Sequence, residues 1–107
     1  MKRGEIWTLQ DKNYASKARP VVIIQSDKHN EFDSVILCLF TTYESNEINT
    51  RVHIRPSSQN GLLKDSYVMT DKIVTVNKTL LGSAIGQLSK EEMEAISEQL
   101  KAVLDLP

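Results

Sequence analysis

The sequence predicts a mainly β fold with α additions, a small barrel of short strands with a C-terminal helix. Three observations predict it. Apolar runs of strand length recur through the chain, continuous at residues 20–25 and 34–42 and alternating at 50–55. Turn-forming residues separate them. One sustained helical period occurs, at the end, over residues 90–104. The 107 residues make one domain, 1–107, with room for one modest core.

Residues 4–9 (Gly-Glu-Ile-Trp-Thr-Leu) read as a first strand, and residues 10–18, polar and without a strong structure former, as a loop. Residues 20–25 and 34–42 are apolar on both faces, which predicts central strands. Residues 43–49 form a second polar loop. In the next strand Val52 and Ile54 face inward, with Arg51, His53 and Arg55 outward. Pro56 ends that strand, and Asn60-Gly61 is a turn signal. Residues 66–70 and 72–76 are strand material with Asp71 between them. Asn77 caps a short helical turn that stops at Gly82, and residues 85–88 make a last short strand. Ser89 and Glu92 form a capping box for the helix, and Met93, Ile96, Leu100 and Val103 make one apolar stripe that docks on the sheet.

The net charge of −1 gives no overall nucleic-acid signature, so any such surface is a local patch. Lys2, Arg3, Lys12, Lys17 and Arg19 make the N-terminal region basic, and the helix region is acidic. The single cysteine, Cys38, lies inside an apolar strand and reads as a buried reduced thiol. No Cys/His grouping has metal-ligand spacing, no phosphate-binding Gly-rich loop appears, and no cofactor is expected. The N-terminus lacks a signal-peptide core and no apolar run reaches spanning length, which predicts a cytoplasmic protein with no membrane partner.

The most informative stretch is Arg19-Pro20-Val21-Val22. Proline fixes its own φ and keeps the preceding residue extended, so Arg19 sits on a stiff base. Its planar, permanently charged donor fork suits a phosphate; the plainer reading is a surface ion pair with Asp27 or Asp33. Thr41 and Thr42 end the apolar run 35–40. Threonine is common in strands, but a hydroxyl at that polar end meets Arg19 if the two strands are neighbours. Lys12, Tyr14 and Lys17 share the first polar loop, where charge and one aromatic ring suit single-stranded RNA. Arg51, His53 and Arg55 read either as a solvated face or as a cationic track for a polynucleotide. Asp71 reads either as turn chemistry or as an acceptor for a base edge.

Taken together, Lys2-Arg-Gly-Glu-Ile-Trp7, Ala18-Arg-Pro-Val-Val-Ile-Ile-Gln25, Val35-Ile-Leu-Cys-Leu-Phe-Thr-Thr42 and Ile85-Gly-Gln-Leu-Ser-Lys-Glu-Glu-Met93 resemble the MazF/PemK toxin family. The resemblance implies an SH3-like barrel, a homodimer, and a metal-independent endoribonuclease cutting single-stranded RNA at short sequences. It implies a cognate antitoxin protein as partner. It places the family's active arginine on Arg19 and its active threonine on Thr41. The residues themselves offer Lys12, Tyr14, Lys17, Thr42, His53 and Asp71 as RNA-binding candidates. The first loop is shorter than the family's usual form. Asp71 matches an active aspartate of the Kid-type members, but Met69 stands where their second arginine would be. The expected reaction is attack of a ribose 2′-OH on its own 3′-phosphate. The rival readings are a CcdB-like gyrase-binding toxin and a catalytically inactive β module that only binds a partner.

Overall fold

The computed structural model describes residues 1–11, 15–44 and 47–107, with Ala15 and Ser16 described by backbone alone. Six strands, β1 (Glu5–Asp11), β2 (Ala15–Ile23), β3 (Ser34–Thr41), β4 (Val52–Ile54), β5 (Ser66–Asn77) and β6 (Leu81–Gln87), precede one helix, α1 (Lys90–Leu104). They form one antiparallel sheet in the order β4-β5-β3-β2-β1-β6, curled into a half-barrel. The expected mainly β fold with a C-terminal helix is what is observed.

Curling lets both faces of the central strands be buried. On one face Ile6, Val22, Cys38, Ile54, Val68, Leu88 and Ile96 pack together. On the other, Leu9, Val21, Ile23, Val35, Leu37, Val76 and Leu81 make a second cluster. This two-sided burial is why residues 20–23 and 35–40 are apolar at successive positions instead of alternating. β5 bends to serve both faces. Its partner register jumps between Cys38↔Ile73 and Leu39↔Met69, so Thr70, Asp71 and Lys72 form an irregularity inside one long strand. The sequence reading of two segments flanking Asp71 is corrected to that single strand.

The ends of other elements also differ from expectation. Among the described residues of the expected loop 10–18, strand replaces loop: β1 runs to Asp11 and β2 starts at Ala15, paired Asp11↔Ala15, while residues 12–14 lie outside the described residues. Their polar composition gives little strand signal, and the cross-strand ladder overrides it. β2 stops at Ile23 instead of residue 25 because Gln25 uses its side chain for the bonding. Its Oε1 accepts from the Ile36 N–H at 2.9 Å, and its Nε2 donates to the His29 carbonyl. β4 is three residues long, and β6 starts at Leu81, before Gly82. The helix follows the sequence closely. Ser89 accepts from the Glu92 N–H, Glu92 accepts from the Ser89 N–H, and Met93, Ile96 and Leu100 pack on the first cluster.

Glu5 ties down the start of the sheet. Its Oε1 accepts from the Lys2 N–H at 2.7 Å and from Trp7 Nε1 at 3.2 Å. The backbone bond from Lys2, opposed by partial burial and helped by Trp7, holds the carboxyl below its usual range. A carboxylate depressed in the folded state adds stability above its unfolded pKa and loses it as pH falls through the folded value. Glu5→Gln is therefore expected to flatten the acid limb of the stability profile. Urea titrations from pH 6 down to pH 3 check it, and parallel curves for the two proteins would rule the contribution out.

Candidate active site

The site begins with a missing hydrogen. The Ile23 carbonyl of β2 accepts from the Gly4 N–H, on the β1 side, while the Ile24 N–H donates to the Ile36 carbonyl, on the β3 side. In an antiparallel strand the N–H and C=O of one residue point the same way and alternate along the chain. Even-numbered residues of β2 therefore face β3, and Pro20 is one of them. Proline has no N–H to give. The β2–β3 ladder accordingly contains Ile23↔Leu37, Val22↔Cys38 and Val21↔Leu39, and stops there. Beyond Val21 and Leu39 the two strands part.

A cleft of about 300 Å³ occupies that parting, lined by Leu9, Arg19, Pro20, Thr41, Thr42 and Met69 among others. Arg19 reaches it because Leu9↔Arg19 pairs on the β1 side, which fixes the residue on the same sheet face as Leu9 and Val21. Thr41 reaches it from β3 on that same face, opposite Tyr67 of β5. Arg19 and Thr41 each lie one step of alternation past the last β2–β3 pair, so the two residues flank the opening. The structure thus places Arg19 and Thr41, which the sequence singled out and which lie far apart in the chain, along one cleft.

Neither anticipated ion pair of Arg19 forms. Asp27 Oδ1 accepts from the Arg3 N–H at 2.8 Å, and among the described residues Arg19 makes no salt bridge. Its charge is exposed to whatever enters the cleft. The Thr41 hydroxyl accepts from the Tyr43 N–H at 3.1 Å. A hydroxyl has one proton and two lone pairs, so this bond leaves the proton for a second acceptor.

Thr42 is exposed and lines the cleft beside Thr41. It also lines a second cleft, about 430 Å³, which shares Arg19, Pro20 and Ser66 with the first and continues over Leu62, Leu63, Lys64 and Ile85. Nothing in the sequence signals this second opening, because it depends on a loop closed by Asn60. Asn60 is 1% exposed. Its Oδ1 accepts from the N–H groups of Ser57 and Leu62, and its Nδ2 donates to the Arg55 carbonyl. Lys17 is exposed on β2 and does not line either cleft. Lys12 and Tyr14 lie outside the described residues. Asp71 is exposed in the β5 irregularity and is not part of the cleft wall. Its carboxylate acts instead on Cys38, whose thiol is pushed up to about 12, by burial first and Asp71 second. A thiol so raised is no nucleophile at neutral pH.

The row Arg51, His53, Arg55 is not a uniform cationic track. Arg51 precedes β4 and its Nε is buried with no hydrogen-bond partner among the described residues. His53 Nε2 lies 2.8 Å from Asp65 Oδ1, which offsets any charge it gains. Arg55 alone of the three is exposed without a carboxylate partner among the described residues. Among those residues no three His, Cys, Asp or Glu side chains converge in a way that would hold a metal ion, and no helix is long and apolar enough to cross a membrane.

Fold and site define a small β half-barrel with an arginine and a threonine at a seam between two central strands. The model of the family described as PemK-like, MazF-like toxin of type II toxin-antitoxin system matches residues 2–104, and the chain belongs to that family. It is 34% identical over 107 residues to the probable endoribonuclease MazF of Mycolicibacterium smegmatis, covering 99% of this chain and 98% of that protein. It is 33% identical over 93 residues to endoribonuclease MazF6 of Mycobacterium tuberculosis, covering 85% and 82%. Among solved structures, a mycobacterial endoribonuclease in complex with its cognate antitoxin superposes with a TM-score of 0.85 at 30% identity, over 100% of this chain and 97% of that one. MazF from a MazE–MazF crystal of Deinococcus radiodurans, 13% identical with a TM-score of 0.81 over 100% and 97% of the two chains, shares the fold.

Proposed function

We propose that this chain is the toxin of a type II toxin–antitoxin pair and acts as an endoribonuclease. It cuts single-stranded RNA at short sequence motifs, without a metal ion, in the cytoplasm. The observation that carries the reading is the meeting of Arg19 and Thr41 at one solvent-open cleft. Support comes from relatives that are endoribonucleases, one of them solved with its cognate antitoxin. These relatives favour the nuclease over a gyrase-binding toxin. An antitoxin and a second copy of the chain are the expected protein partners.

In the proposed reaction the ribose 2′-oxygen loses its proton and bonds to the adjacent phosphorus. The bond from phosphorus to the 5′-oxygen of the next nucleotide breaks, and that oxygen takes up a proton. The products are a 2′,3′-cyclic phosphate and a 5′-hydroxyl. RNA supplies its own nucleophile, so the protein's task is alignment and charge stabilisation. Arg19 grips the non-bridging oxygens through its fork. Thr41, one of its lone pairs taken by the Tyr43 N–H, donates its proton to the same phosphate. Thr42, exposed beside it, and Lys17 on β2 contribute contacts to neighbouring phosphates.

Incubation of the purified protein with a long RNA in EDTA, followed by mapping of the new ends, tests the whole reading. Cuts at a recurring short sequence with cyclic-phosphate and 5′-hydroxyl ends are expected; intact RNA would reject it. Thr41→Val keeps the shape and removes the hydroxyl. Loss of one hydrogen bond to a charged group predicts a cleavage rate about ten- to a hundredfold lower. A rate equal to wild type would exclude Thr41 from the reaction.

A further inference from the structure

We infer that Tyr67 and His53 form a shelf on which a nucleobase flanking the cut linkage stacks, with Asp65 fixing the imidazole. The inference rests on the endoribonuclease reading and deepens it, by assigning a subsite to residues that the phosphate chemistry leaves unused.

The register puts the shelf beside the cleft. Thr41 of β3 pairs with Tyr67 of β5, and Tyr67 pairs with His53 of β4. Cross-strand partners share a face, so Arg19, Thr41, Tyr67 and His53 stand in one row across the sheet. The two rings are stacked, with centroids 4.8 Å apart and planes 18° from parallel. Neighbouring strands are themselves about 4.8 Å apart. The rings therefore stand upright on adjacent strands with their planes facing along the row. His53 covers one face of Tyr67, and the other face turns toward Thr41.

A carboxylate stands near the polar tip of each ring. Burial first, and the Glu44 carboxylate just past the end of β3 second, push the Tyr67 phenol above its usual pKa. The His53 ring is held by Asp65 at 2.8 Å. Carboxylates at the tips leave the π faces for a ligand. They also fix what kind of ligand enters. Two carboxylates beside the rings oppose a phosphate, so the part of the nucleotide that fits here is the uncharged base. Its amino and ring N–H groups find acceptors in Glu44 and Asp65. A strand of RNA laid along the row would put a scissile phosphate at Arg19 and Thr41 and an adjacent base against Tyr67.

The test uses an RNA oligonucleotide spanning a cut site mapped with the wild-type protein, carrying a 2′-deoxyribose at the cut to block reaction. A set of such oligonucleotides lacks one base at a time on either side of the cut. Stacking on an aromatic side chain predicts that removing one particular base weakens wild-type binding about five- to a hundredfold. Tyr67→Ala should weaken binding of the complete oligonucleotide by a similar factor and lose no more when that base is missing. Tyr67→Phe, which keeps the ring and gives up only the hydroxyl, should bind within about threefold of wild type and retain the base penalty. Tyr67→Leu, which keeps the bulk, should behave as Tyr67→Ala does, and circular dichroism verifies that each variant is folded. Equal base penalties in wild type and in both ringless variants would overturn the shelf. That would leave the rings to a protein side chain instead. Wild-type protein that cuts no RNA would remove the endoribonuclease reading and the shelf with it. Wild-type protein that cuts, with penalties independent of Tyr67, would remove the shelf alone.

Discussion

Arg19→Ala is expected to lower the rate of RNA cleavage by about a hundred- to a thousandfold, the usual cost of deleting one group aimed at developing charge. The folded state should hardly notice. Arg19 is exposed and makes no salt bridge among the described residues, so its removal breaks no internal contact there. Arg19→Lys retains a positive charge but loses the planar fork, and it should recover only part of the activity. Single-turnover cleavage of an RNA carrying one mapped site, read beside a thermal melt, makes the comparison. A variant that melts like wild type and still cuts at its rate would leave the cleft without its central residue.

Gly61→Ala should destabilise the fold strongly. Gly61 has φ near +70°, and a Cβ built there would lie 2.1 Å from the Ile85 carbonyl oxygen. That oxygen belongs to β6 and cannot rotate away. Backbone strain at positive φ costs about 1–3 kcal/mol, and forced overpacking about 1–3 kcal/mol more. For a domain of this size about 4 °C is lost per kcal/mol, so the melting temperature should fall by roughly 10–20 °C. The loop from Ser57 to Leu62 is pinned by Asn60, and Leu63 and Lys64 directly beyond it line the second cleft. Moving this loop should therefore change RNA affinity as well as stability. Calorimetry on the two proteins checks the first effect, and unaltered melting would show that the loop yields where the structure has it rigid.

The parts of the molecule that were legible in the sequence are those where one local signal suffices. Ser89 with Glu92 sets the start of α1, and the apolar runs at 20–23 and 35–40 could only be strands buried on both sides. Arg19 and Thr41 were legible because a cation before proline and a hydroxyl after an apolar run stand out from their neighbours. What was not legible depends on pairing. Residues 15–18 are strand only because β1 extends opposite them, and Asp71 sits inside a strand only because β5 serves two faces. Tyr67 gave no signal at all. An aromatic residue in a strand is ordinary, and its interest comes from standing between Thr41 and His53. Asn60 read as half of a turn dipeptide, whereas its buried amide organises the whole loop.

The absent donor of Pro20 has a bearing on how this scaffold can diversify. The gap between β2 and β3 originates in a covalent ring, not in the posture of a loop, and the flanking pairs that set its width lie deep in the two apolar clusters. Lengthening, shortening or recharging the surrounding loops leaves that aperture open. Descendants of one ancestor are thereby free to exchange the rim while inheriting the same opening.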